Sequence, residues 1–239
     1  MDIKLLIILL DPQRVPYYLY SILFAYKNKL LTLKHKFRGM LSLPEGVTLY
    51  KLANSLPKKS TVVELGCYGG LSSAFILAGL NKSSFHYSID PFDKDLSKQR
   101  QLIKKYKNKK YKKIELDLSM KKPRKKDVYE LLKNEGHKNF KLITGYGDAV
   151  SKRWHKKIDF LWIDASHEYE NVKRDFTDWS KFLKKGGIIA FHDSNKKDKS
   201  PYWKWGWPGP TKLVNEFIKS PSWIKIGRVD SIVYATKNF

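Results

Sequence analysis

The sequence predicts an α/β protein built on a doubly wound, mostly parallel sheet of seven strands. Short apolar runs alternate with helical segments along the chain, which is typical of parallel strands joined by crossover helices. The first run leads into a glycine-rich turn, and the last two runs flank a tight turn at Asp230 that predicts an antiparallel final strand. The predicted strands span residues 61–65, 85–90, 140–144, 159–164, 187–193, 223–229 and 231–236.

The length of 239 residues is that of one domain with a short appendage. We expect residues 1–42 to form an apolar and basic N-terminal helical appendage, and residues 43–239 to form the main domain. Residues 98–141 carry 17 basic side chains against 5 acidic ones. We interpret this lysine-rich stretch as partly an insertion, which either recognises a substrate or only decorates the fold.

The formal net charge of +24 comes mostly from lysine. Arginine is the residue preferred for reading bases and for bidentate contacts to phosphate. The composition therefore favours a solvated or anion-attracting surface over specific nucleic-acid binding. An acidic polysaccharide or an anionic membrane surface would be attracted by the same charge.

The chain is organised around the glycine-rich turn Glu64-Leu-Gly-Cys-Tyr-Gly-Gly70. A buried strand precedes it and a helix over residues 71–80 follows, so bare backbone N–H groups and a helix N-terminus meet there. Such a turn favours a nucleotide-like ligand with a polar or anionic group. Asp90 ends the second strand about 20 residues later, where a nucleotide-binding βαβ unit places a carboxylate for ribose hydroxyls. A turn that only connects two elements is the alternative.

These features resemble the S-adenosylmethionine-binding half of the class I methyltransferases, since the G-x-G-x-x-G order of dinucleotide enzymes is missing. The resemblance continues through residues 158–169 and 182–193 and covers roughly residues 43–193. It is similar in particular to the macrolide-sugar O-methyltransferases such as the macrocin type. It implies the Rossmann-like class I methyltransferase fold, S-adenosylmethionine as cofactor, and transfer of a methyl group to a hydroxyl, with a sugar or glycan as the favoured acceptor.

The resemblance also implies where the cofactor lies. Asp148 follows the third strand at the position of an acid that contacts the adenine ring, although capping of the next helix would use the same side chain. The predicted cofactor-binding residues are Glu64, Gly66, Tyr68, Gly70, Ser72, Asp90, Asp148 and Ala149.

The predicted chemistry lies where the fourth and fifth strands end, because parallel α/β sheets bind ligands at that edge. The fourth strand leads to Asp164 and His167, and the fifth leads to His192 and Asp193. An acceptor hydroxyl must be aligned with the methyl group and must lose its proton, which calls for a base, a divalent cation or both.

We therefore predict Asp164, His192 and Asp193 as ligands of Mg²⁺ or Mn²⁺. His167 is the predicted proton acceptor, since histidine titrates near neutral pH, and Asp164 is the second predicted catalytic residue. By resemblance Asp164 and Asp193 match metal-binding acids and His167 matches a base, whereas His192 replaces an acid. Structural roles remain the alternative: Asp164 would orient a loop or the cofactor, and His167 would satisfy a backbone carbonyl.

Two apolar runs, residues 3–10 and 15–26, precede a basic segment at the N-terminus. Neither reaches the roughly 20 apolar residues that span a bilayer, and the start lacks the features of a secretory signal. Such a segment either lies in a membrane interface or packs on the domain or on a second subunit, so peripheral membrane contact and a homo-oligomer both stay open. The single cysteine, Cys67, indicates a reducing compartment, and a cytoplasmic location is expected.

Three tryptophans alternate in a loop rich in glycine and proline, at positions 203, 205 and 207. They are predicted either to form a wall on which a sugar or aromatic acceptor stacks, or to make a dimer contact. Two rival functions also stay open: a nucleic-acid or other small-molecule methyltransferase on the same scaffold, and a non-catalytic binding or membrane-associated protein that kept the fold.

Overall fold

The computed structural model describes residues 15–92, 123–195 and 206–239. The run at residues 3–10, most of the lysine-rich stretch, Trp203 and Trp205 lie outside the described residues. The strands are β1 (Thr61–Leu65), β2 (Phe85–Asp90), β3 (Phe140–Thr144), β4 (Ile158–Ile163), β5 (Leu183–Phe191), β6 (Trp223–Val229) and β7 (Ile232–Lys237). The helices are α1 (Val15–Lys27), α2 (Leu33–Lys36), α3 (Leu43–Asn54), α4 (Leu71–Gly79), α5 (Lys125–Asn134), α6 (Gly147–Ser151), α7 (Tyr169–Ser180) and α8 (Pro208–Phe217).

The strands form one sheet in the order β3-β2-β1-β4-β5-β7-β6. Strands β1 to β5 pair in parallel, and β7 runs antiparallel to both β5 and β6. The predicted fold class is confirmed, including the antiparallel last strand. The strand order reverses between β1 and β4, and an open α/β sheet forms its ligand crevice at such a point.

The apolar runs become strands because both faces of the sheet are covered. All six residues of β4 are buried, as expected of a central parallel strand. β5 begins at Leu183, four residues before the predicted start, and an irregularity between Ile158 and Phe160 of β4 accommodates the longer strand. β5 ends at Phe191, so the two residues after it belong to the loop beyond the strand.

Helices α3 and α4 pack closely on one face of the sheet. A Cβ on Gly46 would lie 2.5 Å from the ring of Phe75, and a Cβ on Gly79 would lie 2.2 Å from the carbonyl oxygen of Tyr50. The N-terminal segment joins this layer, because the rings of Phe24 in α1 and Tyr50 in α3 meet edge to face at 5.7 Å. On the other face, Phe176 of α7 stacks on Phe217 of α8 at 5.3 Å. No helix within the described ranges is both long and apolar enough to cross a membrane.

Candidate active site

The glycine turn after β1 packs closely against the end of β4. Gly66 has φ +92° and Gly70 has φ +83°, in the left-handed region that favours glycine. A Cβ on Gly66 would lie only 2.2 Å from the backbone carbonyl oxygen of Asp164. The turn therefore rests directly on the end of β4, and a Cβ on Gly70 would lie 2.8 Å from Cγ1 of Val128, so close packing within the protein requires glycine at both positions. The cofactor contacts of Gly66 and Gly70 stay predictions.

Asp90 holds the turn in place through backbone amides. Its Oδ2 accepts hydrogen bonds of 2.9 Å from the N–H groups of both Cys67 and Tyr68, and its Oδ1 accepts one of 2.6 Å from Phe92. A carboxylate offers about four acceptor positions, so a further bond to a ribose hydroxyl is compatible with this arrangement. The cofactor contacts of Asp90 and Tyr68 stay predictions.

Glu64 faces the protein interior. It is completely buried, accepts hydrogen bonds from the hydroxyls of Ser72 and Ser73, and lies 3.0 Å from Nε2 of His86. Burial would raise the pKa of Glu64, but His86 and the two hydroxyls outweigh it and lower the pKa. These bonds fasten α4 to β1 and β2 beneath the turn. The direct cofactor contacts of Glu64 and Ser72 stay predictions.

Asp148 and Ala149 lie at the start of α6, at the same edge of the sheet as the turn. The carboxylate of Asp148 accepts a hydrogen bond of 2.9 Å from the N–H of Ala149 and lies 3.8 Å from Nε of Arg174. Asp148 is half-buried and Ala149 is exposed. The adenine contact of these two residues stays a prediction.

The four residues predicted for the chemistry come together beyond β4 and β5. Nε2 of His167 lies 3.0 Å from Oδ2 of Asp193, and Nδ1 of His192 lies 3.1 Å from Oδ1 of Asp164. Asp193 adopts a left-handed φ of +51°, and its backbone N–H donates to Oγ of Ser231 at 3.2 Å. Because β4 and β5 are parallel neighbours, the two histidine–aspartate pairs lie together at the carboxyl edge of the sheet.

One group of potential metal ligands shares two residues, Asp164 and Asp193, with the predicted set. Asp164, His167 and Asp193 each offer one ligand atom, and these atoms lie within 4.8 Å of one another. Two carboxylate oxygens and one imidazole nitrogen suit a divalent cation such as Mn²⁺ or Mg²⁺.

The Nδ1 of His192 lies 3.1 Å from Oδ1 of Asp164 and 3.6 Å from Oδ2 of Asp193, and its role as a metal ligand stays a prediction. Burial would lower its pKa, but the charges of Asp164, Asp193 and Glu45 outweigh burial and raise the pKa well above its ordinary value. The three carboxylates therefore favour the protonated imidazole, and a cation bound by His192 would have to displace this proton. Burial in turn raises the pKa of Asp164, with Asp193 adding to the rise and His192 opposing it.

The comparison with known families assigns the chain. Residues 63–194, more than half of the chain, match the family described as a methyltransferase domain. The match runs from β1 to the residue after Asp193, so it contains the glycine turn and the four residues predicted for the chemistry. The chain belongs to this methyltransferase family. The predicted enzyme class, an S-adenosylmethionine-dependent methyltransferase, is confirmed.

Solved structures share the fold of this methyltransferase at low sequence identity. A protein of Corynebacterium glutamicum superposes with a TM-score of 0.59 at 15% identity, covering 94% of this chain and 98% of its own. The O-methyltransferase TomG of Streptomyces achromogenes, solved with S-adenosylmethionine, gives 0.57 at 13% identity over 92% of this chain and 88% of its own. The methyltransferase PaMTH1 of Podospora anserina, solved with S-adenosylhomocysteine, gives 0.54 at 17% identity over 84% and 80%.

Glu45 is a residue of the methyltransferase site that sequence reasoning missed. It stands in the first turn of α3, where it forms a capping box with Ser42. Its Oε1 accepts hydrogen bonds from the N–H and the hydroxyl of Ser231 at 2.8 and 2.6 Å, and its Oε2 lies 3.6 Å from Nε2 of His192. The S-x-x-E spacing predicts a helix start, but it does not show that the carboxylate turns toward the strand ends.

Burial would raise the pKa of Glu45, but the charge of His192 and hydrogen bonds from His192, Ser231 and Ser42 outweigh it and lower the pKa to about 2. Glu45 therefore stays ionised. It ties α3 to the strand ends and to the charged imidazole at the same time.

Trp207 lies against the predicted base of the methyltransferase. Its ring stacks on that of His167 at a centroid distance of 4.5 Å and an interplanar angle of 25°, and the tryptophan is buried. Its backbone N–H donates to the carbonyl oxygen of Asp193 at 2.8 Å. Trp207 was predicted to stack on an acceptor or to make a dimer contact, but its buried indole covers one face of His167 instead and restricts the plane of the imidazole.

Proposed function

We propose that this methyltransferase transfers the methyl group of S-adenosylmethionine to a hydroxyl oxygen of a sugar or glycan, in the manner of the macrolide-sugar O-methyltransferases it resembles. The observation that carries the proposal is the hydrogen-bonded pair of His167 and Asp193, with Asp164 beside it. Asp164 and His167 follow β4, and the glycine turn packs against the end of this same strand. The proposed base therefore lies next to the glycine turn, where the cofactor and the acceptor hydroxyl are proposed to meet.

The pair supplies an oriented base. A neutral His167 that donates from Nε2 to the carboxylate of Asp193 keeps the lone pair of Nδ1 for the proton of the acceptor hydroxyl. Asp193 then stabilises the imidazolium that forms, as carboxylates do in His–Asp pairs. The stacked ring of Trp207 limits rotation of the imidazole. The sulfonium is already electrophilic, so alignment and proton removal are the tasks left to the protein.

A divalent cation would be held by Asp164, His167 and Asp193. When bound, such an ion would make an acceptor hydroxyl easier to deprotonate. In that case His167 would serve as a ligand, and the proton of the acceptor hydroxyl would pass to solvent water. The proposal thus has a metal-free form and a metal-assisted form, and turnover should be sensitive to a chelator only in the metal-assisted form.

Oxygen is favoured as the acceptor atom for two reasons. TomG, one of the structural neighbours, is an O-methyltransferase involved in tomaymycin synthesis. A histidine base paired with a carboxylate also suits a hydroxyl, which must lose a proton on transfer. The single, buried Cys67 supports a reducing compartment, and we place the reaction in the cytoplasm.

The test combines cofactor binding with turnover. Calorimetric titration should detect binding of S-adenosylmethionine, and labelled cofactor should transfer its methyl group within a panel of glycans, phenols and RNAs. His167→Ala is expected to lower kcat by at least about 100-fold while cofactor affinity stays the same. His155→Ala is the matched control, because His155 is exposed and precedes β4 at the opposite edge of the sheet. Undiminished turnover by His167→Ala would refute the proposed base.

A chelator distinguishes the metal-free form of the proposal from the metal-assisted form. Loss of turnover in EDTA and its recovery with Mn²⁺ or Mg²⁺ would support the metal-assisted form. Nucleic acid is the second candidate acceptor, since the net charge of +24 would attract any polyanion. Methylation of RNA in preference to the glycans, with salt-sensitive binding, would replace the glycan proposal by this one.

A further inference from the structure

Helix α1 presents a stripe of exposed apolar side chains. Leu19, Leu23 and Tyr26 are 53%, 59% and 75% exposed, and the neighbouring Tyr20 is 47% exposed. The spacing of four and three residues places Leu19, Leu23 and Tyr26 on one face of the helix. Large apolar side chains that cluster on an exposed face mark an interaction surface more often than isolated ones do.

The opposite face of α1 is anchored, so the orientation of the stripe is set. Ala25 is completely buried and Ser21 is 1% exposed. Phe24 packs edge to face on Tyr50 of α3. The Nζ of Lys51, also in α3, donates to the hydroxyl of Tyr20 at 2.9 Å and lies 4.3 Å from the centre of its ring. A cation thus stands at the border of the apolar stripe.

The chain segment that contains the stripe carries charge of one sign in its sequence. Between positions 12 and 44 the sequence contains six Lys or Arg residues and no Asp or Glu. Lys27 and Lys29, at the end of α1, are both exposed. An exposed leucine and tyrosine face followed by lysines is the composition of helices that lie in the plane of a membrane interface.

We propose that the stripe of Leu19, Tyr20, Leu23 and Tyr26 docks on the surface of a membrane that contains anionic lipids. The leucines enter the boundary of the acyl chains, the tyrosines lie at the level of the headgroups, and Lys27, Lys29 and Lys51 contact lipid phosphates. A second copy of the chain fits this surface less well, because a symmetric contact would bring two sets of lysines together. This docking does not depend on the methyl-transfer proposal.

The experiment uses the full chain and vesicle flotation. The protein is mixed with vesicles of phosphatidylcholine alone or with added phosphatidylglycerol. We expect binding to the anionic vesicles, weakened by salt, and little binding to the neutral ones. The double variant Leu19→Glu/Leu23→Glu should lower partitioning at least about tenfold, since two carboxylates replace apolar contacts at an anionic surface. Ile226→Glu is the matched control, because Ile226 is a comparably exposed apolar residue on β6, 42% exposed.

Three outcomes would overturn the proposal. The first is wild-type protein that fails to float with anionic vesicles. The second is a double variant that floats as well as the wild type. If deletion of residues 1–14 then removes the binding, the membrane contact lies in those residues and not in the stripe. The third is a concentration-dependent dimer that the double variant abolishes, which would make the stripe a contact between copies. Calorimetric affinity for S-adenosylmethionine, measured on every variant, separates these outcomes from a failure of the methyl-transfer proposal and confirms that each variant is folded.

Discussion

The carboxyl group of Asp175 makes the stability of this methyltransferase depend on pH in a way that one substitution can remove. Asp175 lies in α7 where this helix packs on α6, and it is 7% exposed. A Cβ on Gly147 would lie 2.7 Å from its Oδ1. Burial raises the pKa of Asp175 from an ordinary 3.8 to about 7, with Asp148 and Asp178 adding to the rise and Arg174 opposing it.

The sign and size of the effect follow from this pKa. A carboxyl with a raised pKa in the folded state keeps its proton there while the unfolded chain releases it, so stability falls as the pH rises from 3.8 to about 7. At about 1.4 kcal/mol for each pH unit, the ionised carboxylate of Asp175 costs about 4 kcal/mol at alkaline pH. At about pH 4.5 only about 1 kcal/mol of this cost remains.

Asp175→Asn should therefore be more stable than the wild type by up to about 4 kcal/mol near pH 8.5 and by about 1 kcal/mol near pH 4.5. Urea denaturation at both pH values measures the free energies of unfolding. Glu170→Gln is the control, because it removes an exposed carboxylate from the same helix and should show little change with pH. A gain that is the same at both pH values, or a loss at alkaline pH, would refute the assigned pKa and its cause.

Three further substitutions or reactions test the site. Glu45→Gln should lower the free energy of unfolding by about 3 kcal/mol at neutral pH, since the depressed pKa of about 2 stabilises the fold above pH 4.5. In urea denaturation, the difference in unfolding free energy between the wild type and Glu45→Gln should vanish as the pH falls from 4.5 to about 2. A difference that does not change with pH would contradict the ion pair of Glu45 with His192. Gly66→Ala should destabilise the protein by more than about 2 kcal/mol and weaken cofactor binding, because its Cβ would meet the carbonyl of Asp164; unchanged calorimetric affinity would contradict this. Burial raises the pKa of the Cys67 thiol, so a thiol reagent should react with it rapidly only after unfolding, and rapid reaction of the native protein would show the thiol to be accessible.

Local pattern in the sequence predicted most of the sheet and the location of the site. The bounds of β1, β2 and β3 are the predicted ones, because each is a short apolar run between turn residues. The glycine turn was predicted from its glycines, and Gly66 combines a φ of +92° with an approach to β4 that leaves no room for a Cβ. The meeting of His167, Asp164 and Asp193 was also predicted, since parallel neighbouring strands must end at one edge.

What each side chain does at that edge was decided by the tertiary structure. Glu45 looks like a simple helix cap in sequence, yet α3 packs so that its carboxylate reaches Ser231 and His192, residues more than a hundred positions away. His192 was predicted as a metal ligand, and folding surrounds it with three carboxylates that raise the pKa of its imidazole. Glu64 ends a strand as a ligand-binding acid would, but burial beneath the turn engages it with serines and a histidine. Hydrophobic period and turn chemistry are local and can be read along the chain, whereas the direction and charge of a polar side chain depend on neighbours that only folding brings near.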